Sequence, residues 1–263
     1  MAAPYPQCVL FGDSLFEGCS DVKDGFSFQG ALQNYCNRRM DVINRGFSGY
    51  NTSQALKVLE KVFPEPAPSG PKLEYLVVLL GANDAAVPMP ENSQHVTLER
   101  YKKNLKAIIT HPNITAHKPK ILMVTPPPLD EIHITKLDLA WGWPRSTREA
   151  KISASYSEAV RQVAQDVPGT ILIDLWKALM DYAISKTPGF DASLGAWLGD
   201  PACGQRGYLE HLLPDGLHLS GEAYKVFYDI VVKHVGPDFP NLETTGYIHP
   251  EWKTAPWLEE DLN

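Results

Sequence analysis

The sequence has few cysteines, and their spacing is unlike that of disulfide scaffolds and zinc sites. The four cysteines are Cys8, Cys19, Cys36 and Cys203. They form no C-x-x-C pair, so we expect reduced and mostly buried thiols. The eight histidines include no H-x-x-x-H pattern, and none stands at ligand spacing from a cysteine. We therefore expect no metal site.

Long apolar runs are also absent from the chain. The longest, 75–80 and 121–124, have the length of strands, whereas a membrane-spanning helix needs about 20 apolar residues. Met1–Gln7 lacks the charged start and the apolar stretch of a signal peptide. These absences predict a cytoplasmic protein without a membrane span.

An excess of basic residues is the third absence. The 263 residues include 24 Lys and Arg against 31 Asp and Glu, a formal charge of −7. A protein that binds the phosphate backbone of nucleic acid would show a basic excess or a basic stripe. We therefore expect no nucleic-acid partner.

Short apolar runs alternate with segments of helical period, a pattern typical of an α/β fold around a parallel sheet. Strands are predicted at Gln7–Phe11, Met40–Asn44, Glu74–Leu80, Lys120–Thr125 and Thr170–Asp174. Helices are predicted from about Thr52 to Phe63, after Thr97, from near Thr147 and after Ser220. The sequence thus predicts a three-layer α/β/α sandwich with a five-stranded parallel, flavodoxin-like sheet.

Three segments do not follow this alternation. Pro126–Arg145 and Gly189–Leu213 are rich in Pro, Gly and aromatic residues. Because α/β sheets bind ligands in loops beyond the strand ends, we expect both to form pocket walls. Residues 237–263 are proline-rich, and we predict an extended arm packed on the domain of residues 1–236 or on a partner subunit. Such an arm is compatible with a homodimer.

The first motif that points to chemistry lies directly after the first strand. Phe11–Leu15 reads F-G-D-S-L, and the glycine permits a tight exit that places Ser14 at the start of a helix. Backbone N–H groups and the helix dipole stabilise an anion there, which suits a serine nucleophile. The same letters also occur in ordinary turns, where Asp or Ser only caps a helix.

A second motif, Asp215–His218 (D-G-L-H), precedes the final helix. A serine nucleophile needs a base within hydrogen-bond reach, and a histidine can take its proton and return it. A carboxylate three residues earlier can reach the other ring nitrogen and fix its tautomer. Alone, the motif fits an Asx-turn beside a surface histidine at least as well.

Two further motifs leave the second and third strands, namely Asn44–Gly49 (N-R-G-F-S-G) and Gly81–Asp84 (G-A-N-D). A glycine N–H and an asparagine side-chain amide are neutral donors suited to an oxyanion hole. Gly and Asn are also the common residues of turns, and Ser48 is assigned to such a turn. All four motifs nevertheless converge on one sheet edge, because the carboxyl ends of parallel strands lie together.

In this order the motifs resemble those of the SGNH hydrolases, a family named for its Ser, Gly, Asn and His. The match makes Ser14 the nucleophile and His218 with Asp215 its base and carboxylate. It makes the Ser14 N–H, Gly49 and Asn83 the oxyanion hole. The resemblance implies a serine esterase that forms an acyl-enzyme on a small-molecule carboxylic ester and needs no cofactor.

The resemblance covers about residues 8–235 and is closest to the isoamyl acetate-hydrolysing esterase subgroup. The shared stretches are F-G-D-S-L, N-R-G-F-S-G-Y-N-T and D-G-L-H-L-S, and they imply short- to medium-chain, fairly hydrophobic acyl esters. The loop at 141–145, residues 189–213 and the arm depart from the shorter members. We expect large side chains of the first two segments to line an acyl or alcohol pocket, although such residues are more often core: Trp141, Trp143, Trp197, Leu212 and Leu213.

Three alternatives remain open. The same triad would serve an acyltransferase, a thioesterase or a deacetylase, which differ in the acceptor or in the bond cleaved. A flavodoxin-like nucleotide-binding module would need a phosphate cradle after the first strand, but no G-x-G-x-x-G or G-K-[ST] stands there. A catalytically silent scaffold is disfavoured because every residue that the chemistry needs is present.

Overall fold

The computed structural model describes residues 4–90, 94–191, 193, 195–236 and 247–256. Five strands form one parallel sheet in the spatial order β2-β1-β3-β4-β5. They are β1 (Gln7–Gly12), β2 (Asp41–Gly46), β3 (Leu73–Leu79), β4 (Lys120–Val124) and β5 (Thr170–Ile173). Every predicted strand is present, and the ends shift by two residues at most.

Helices follow the strands and cover both faces of the sheet. They are α1 (Ser14–Glu17), α2 (Phe28–Cys36), α3 (Thr52–Val62), α4 (Leu98–Ile109), α5 (Pro112–Thr115), α6 (Glu131–Ala140), α7 (Ala150–Asp166), α8 (Leu175–Ser185), α9 (Leu209–Leu212) and α10 (Gly221–Val231). The predicted three-layer α/β/α sandwich is confirmed.

The period-two alternation of the strands divides the interior into two cores. In β1, Cys8 and Leu10 pack with α2, α8 and α10, whereas Val9 and Phe11 pack with α3, α4 and α7. Successive side chains of a strand point to opposite faces, so each strand supplies both cores. This burial on both sides explains why the strands read as continuous apolar runs.

Local side-chain bonds decide where several helices begin. Helix α10 begins directly after Ser220, as the sequence predicts, and Ser220 caps it because its hydroxyl accepts from the Ala223 N–H. The helix expected near Thr147 begins instead at Ala150. The Thr147 N–H and hydroxyl both donate to the buried carboxylate of Asp138, at 2.6 and 2.8 Å, which holds that residue outside the helix.

Helices α2, α5, α6, α8 and α9 lie outside the predicted set, and α6 occupies the middle of Pro126–Arg145. Asp130 caps α6 by accepting from the His133 N–H at 3.1 Å. The helix buries Ile134 but leaves Leu139 53% exposed, so its apolar residues do not form one face. The usual amphipathic period is therefore missing from its sequence.

The predicted C-terminal arm falls only partly within the described residues, since 237–246 and 257–263 lie outside them. Within 247–256, the Ile248 N–H donates to the Arg38 carbonyl at 3.0 Å. The Arg38 guanidinium donates to two arm carbonyls, at 3.0 and 2.8 Å. This part of the arm therefore contacts the domain just beyond α2, and its packing on a partner subunit stays a prediction.

The cysteine side chains are mostly buried, as the sequence predicts. Three of the four are buried, and all four are unpaired. Burial raises the pKa of Cys19 and of Cys36 to about 12, so neither side chain is a thiolate at neutral pH.

The described part of the chain includes no helix long and apolar enough to cross a bilayer.

Candidate active site

The tight exit from β1 positions Ser14. A methyl group at Gly12 would stand 2.3 Å from the Leu79 carbonyl oxygen, so only glycine allows β1 and β3 to approach here. Asp13 then caps α1, its carboxylate accepting from the Leu15 N–H at 2.9 Å. Ser14 is therefore the first residue of α1, at the carboxyl edge of the sheet.

Ser14, His218 and Asp215 form one hydrogen-bonded chain. Ser14 Oγ lies 2.9 Å from His218 Nε2, and His218 Nδ1 lies 2.6 Å from Asp215 Oδ2. The other Asp215 oxygen accepts from the backbone N–H groups of Leu217 and His218, at 2.9 and 2.7 Å. The structure thus brings together three residues that the two predicted motifs supply from opposite ends of the chain.

The environment of Asp215 keeps it ionised. Partial burial raises its pKa, but the hydrogen bonds from the His218 ring and from two backbone N–H groups outweigh this effect. The pKa of Asp215 is consequently held well below its ordinary range. A permanent carboxylate at this position favours the tautomer in which Nδ1 carries the proton and Nε2 faces the serine.

A glycine fixes the turn that carries this pair. Gly216 has a φ of +89°, a conformation that side chains strongly disfavour. Its carbonyl accepts from the Asp130 N–H at 2.9 Å. A Cβ at Gly216 would lie 2.8 Å from the Asp130 carbonyl oxygen. The turn between Asp215 and Leu217 therefore requires glycine at position 216, both for its backbone conformation and for its close contact with Asp130.

The loops after β2 and β3 meet beside Ser14. The Phe47 N–H donates to the Gly12 carbonyl at 2.9 Å, and the Ser48 N–H donates to the Glu17 carboxylate at 2.7 Å. These bonds hold the loop containing Gly49 against α1. Asn83 donates from Nδ2 to the Tyr50 carbonyl at 3.0 Å, which joins the two loops.

Arg148 and Gln94 belong to the same cluster, although nothing in the sequence marks them. The Arg148 side chain donates to the Ala82 carbonyl, to Asn83 Oδ1 and to Gln94 Oε1, at 3.1, 3.0 and 3.2 Å. Gln94 in turn donates from Nε2 to Asn83 Oδ1 and to the Gly49 carbonyl, at 3.2 and 3.1 Å. Scattered single cations and amides carry no spacing signal, which is why sequence reasoning misses them.

Two buried carboxyl groups lie under the site. Burial raises the pKa of Asp13 to about 7, and the charge of Asp84 adds to the effect. Burial likewise raises the pKa of Asp84 to about 6, opposed by hydrogen bonds from the Thr52 hydroxyl and N–H. The Asp84 bonds also tie the end of β3 to the start of α3.

The residues predicted to line the pocket are not gathered into one place. Leu212 and Leu213 are fully buried and pack in the core that contains α8 and α10. Trp141 is 71% exposed beyond the end of α6, and Trp143 is partly exposed. Trp197 packs edge-on against Trp176, with ring centres 5.3 Å apart. That pair lines a groove beside α7, away from the cleft at His218.

A cleft of about 510 Å³ opens instead beside Asp215 and His218. Its lining residues come from the segment after α1 and from the turn before α10: Lys23, Asp24, Pro214, Asp215, His218, Leu219 and Ser220. Its size is in the range of small-molecule sites. The segment around Lys23 carries no pocket signal in the sequence.

The solved structures similar to this chain share its fold. A lipase/acylhydrolase from Enterococcus faecalis superposes with a TM-score of 0.58 at 23% identity, covering 88% of this chain and 95% of that one. The acetyl xylan esterase AlAXEase gives a TM-score of 0.59 at 19% identity, covering 87% and 99%. At these identities the likeness shows the α/β architecture alone.

Sequence relatives are closer. A GDSL esterase/lipase of Arabidopsis thaliana is 32% identical over 229 residues, covering 85% of this chain and 83% of the relative. The isoamyl acetate-hydrolyzing esterase 1 homolog of Homo sapiens is 33% identical over 186 residues, covering 67% and 69%. A sequence model of the GDSL-like lipase/acylhydrolase family matches residues 10–226. The chain therefore belongs to the GDSL-like lipase/acylhydrolase family, and the prediction of a carboxylic ester hydrolase of the SGNH type is confirmed.

Proposed function

We propose that the protein is a serine esterase that hydrolyses short- to medium-chain acyl esters through a Ser14–His218–Asp215 triad. The observation that carries this proposal is the continuous hydrogen-bonded chain from Ser14 Oγ through His218 to Asp215. A serine hydroxyl becomes an effective nucleophile only beside a base that is itself oriented by a third group.

The reaction proceeds in two acyl transfers. His218 Nε2 takes the proton of Ser14 as Oγ attacks the ester carbonyl, and the resulting tetrahedral oxyanion accepts from the Ser14 and Gly49 N–H groups and from Asn83 Nδ2. Collapse expels the alcohol, which receives the proton from His218. Water, deprotonated by His218, then attacks the acyl-serine and releases the acid and the free hydroxyl.

The substrate class rests on the relatives and on the cleft. The human and mouse relatives are named isoamyl acetate-hydrolyzing esterase homologs, and isoamyl acetate is a short ester with an apolar alcohol part. The cleft of about 510 Å³ beside His218 has room for small groups of this kind. These observations support small, fairly hydrophobic esters over large lipids.

The first test is hydrolysis of p-nitrophenyl acetate, butyrate and octanoate by wild type and Ser14→Ala. We expect Ser14→Ala to lose about a thousandfold or more in kcat, and Asp215→Asn to lose about 10⁴-fold because the histidine tautomer is wrong. Ser20→Ala is the matched control, because Ser20 is an exposed serine six positions further along, and it should retain wild-type rates.

Labelling with a fluorophosphonate probe gives a readout independent of the substrate. The probe should modify wild type and Ser20→Ala but not Ser14→Ala. Equally slow hydrolysis of every ester by wild type and Ser14→Ala, with no labelling of either, would contradict the proposal. A rate maximum at acetate or butyrate supports the short-chain assignment, whereas a maximum at octanoate moves it to longer acyl groups.

A further inference from the structure

Arg148 is a buried cation that the proposed acyl transfer does not use. Arg148 is only 8% exposed. Burial lowers its pKa, although the negative charges of Asp138, Asp13 and Asp215 act in the other direction. Its hydrogen bonds run to neutral oxygens, those of Ala82, Asn83, Gln94 and Thr147. A buried arginine directed at a side-chain amide indicates a role in fixing that amide.

The first consequence is the orientation of the Asn83 amide. Arginine has only donors, so the Asn83 atom that faces it must be the oxygen. Gln94 Nε2 also donates to this oxygen, at 3.2 Å. The Asn83 nitrogen is therefore turned the other way, where one hydrogen meets the Tyr50 carbonyl. The second hydrogen remains for the oxyanion.

The second consequence concerns Gly49. Because Gln94 Oε1 accepts from Arg148, Gln94 must present its nitrogen to the opposite side. That nitrogen donates to the Gly49 carbonyl at 3.1 Å. The Arg148 fork thus orients Asn83 directly and the Gly49 loop through one intermediate side chain.

We propose that Arg148 is the positioning residue of the oxyanion hole, fixing and polarising the donor amide of Asn83 and, through Gln94, the Gly49 loop. This inference rests on the proposed serine esterase function. A charged donor on Asn83 Oδ1 draws electron density from the amide and strengthens the bond that Nδ2 makes to an anion. Within a buried cluster this effect needs no reorganisation when the negative charge develops.

The kinetic signature of such a role is specific. The oxyanion forms only after Ser14 attacks, so Arg148 acts on the transition state and not on the bound ester. Its loss should lower kcat and leave KM nearly unchanged. A residue that merely supported the fold would alter stability or change both parameters.

The decisive experiment is a double-mutant cycle of Arg148→Met and Asn83→Ala, assayed with p-nitrophenyl butyrate. We expect Arg148→Met alone to lower kcat by about 10- to 100-fold with KM within about threefold. In the Asn83→Ala background the same substitution should cost less than about threefold, since the amide through which Arg148 acts is gone. The rate of fluorophosphonate labelling should follow the same pattern.

Arg145→Met is the matched control. Arg145 lies three positions earlier on the same segment and is exposed, so its loss should leave kcat and KM at wild-type values. Arg148→Lys retains the charge but not the fork, and we expect a smaller kcat loss than in Arg148→Met. The Lys variant also completes the cycle with Asn83→Ala if Arg148→Met does not fold.

Equal losses of kcat in the presence and absence of the Asn83 side chain would overturn the proposal, as would a loss confined to KM. Either result would make Arg148 a structural residue while leaving the esterase assignment intact. Failure of the esterase assignment itself would appear separately, as unchanged activity in Ser14→Ala.

Discussion

The backbones of Gly46 and Glu17 pack directly on each other. A methyl group at position 46 would stand 2.0 Å from the Glu17 backbone nitrogen and 2.6 Å from its Cα. Gly46 is the last residue of β2, and Glu17 ends α1, the helix that begins with Ser14. The position of α1, which carries Ser14, therefore depends on the absence of a side chain at Gly46 in β2.

We expect Gly46→Ala to displace α1 and to inactivate the enzyme. The new methyl group meets backbone, which cannot rotate away, so the destabilisation should reach the upper end of the usual overpacking cost of about 1–3 kcal/mol. Esterase kcat should also fall, because Ser14 moves relative to His218. Thermal denaturation and fluorophosphonate labelling of the purified variant measure the two effects.

Gly18→Ala is the control for this substitution. A Cβ at Gly18 would find its nearest neighbours at 3.7 Å, and its φ of −78° suits any residue. This variant should keep the melting temperature within a few degrees of wild type. If the two alanine variants showed the same melting temperature and the same labelling, the close contact between β2 and α1 would not be what positions Ser14.

The strands and the meeting of Ser14, His218 and Asp215 were accessible to sequence reasoning because their signals are local or ordered. A strand buried on both faces reads as an apolar run, and the D-x-x-H spacing alone allows Asp215 to reach the His218 ring. The order of four motifs along the chain then brings Ser14 to the same sheet edge. In the structure the three side chains meet there, at distances of 2.9 and 2.6 Å.

Arg148 and Gln94 show where such reasoning stops. Arg148 lies 65 residues from Asn83, and its approach is set by the turn in which Asp138 holds Thr147. No residue spacing reports a contact of this kind. Leu212 and Leu213 show a second limit, because an apolar residue near a site has the same sequence signature whether it lines a pocket or fills the core.

The buried carboxyl of Asp13 predicts a pH-dependent stability. Burial raises its pKa in the folded protein to about 7 from an ordinary value of 3.8, and its Oδ2 is without a hydrogen-bond partner among the described residues. Between these values the folded protein keeps a proton that the unfolded chain has lost. The resulting stabilisation is fully present below pH 4 and is lost as the pH rises through about 7.

Asp13→Asn removes this dependence because the amide does not titrate. The difference in unfolding free energy, wild type minus variant, should fall by up to about 4 kcal/mol between pH 4 and pH 8. Urea denaturation of both proteins at pH 4, 5, 6, 7 and 8 measures it. Asp41→Asn, at an exposed position, controls for the change of one charge. A constant difference across the series would show that folding does not raise the pKa of Asp13.

Asp130 contacts both the turn that carries Asp215 and His218 and the side chain of Arg206. The Asp130 side chain is fully buried and lies 2.6 Å from the Arg206 guanidinium, while its N–H donates to the Gly216 carbonyl. Arg206 makes a second ion pair, at 3.0 Å, with Glu210, whose side chain is 44% exposed. One arginine thus forms a buried and an exposed ion pair at once.

The two partners of Arg206 should contribute unequally. Arg206→Met strips the buried carboxylate of its cation, which typically costs about 3–5 kcal/mol, and we expect the lower end because Arg206 is itself partly exposed. Glu210→Gln removes only the exposed pair, which solvent screens, so the loss should stay below about 0.5 kcal/mol. Urea denaturation at pH 7 compares the variants. Similar losses for both would mean that the buried Asp130 pair contributes no more to stability than the exposed Glu210 pair. A large loss for Arg206→Met alone, accompanied by lower kcat, would connect this buried pair to the geometry of the triad.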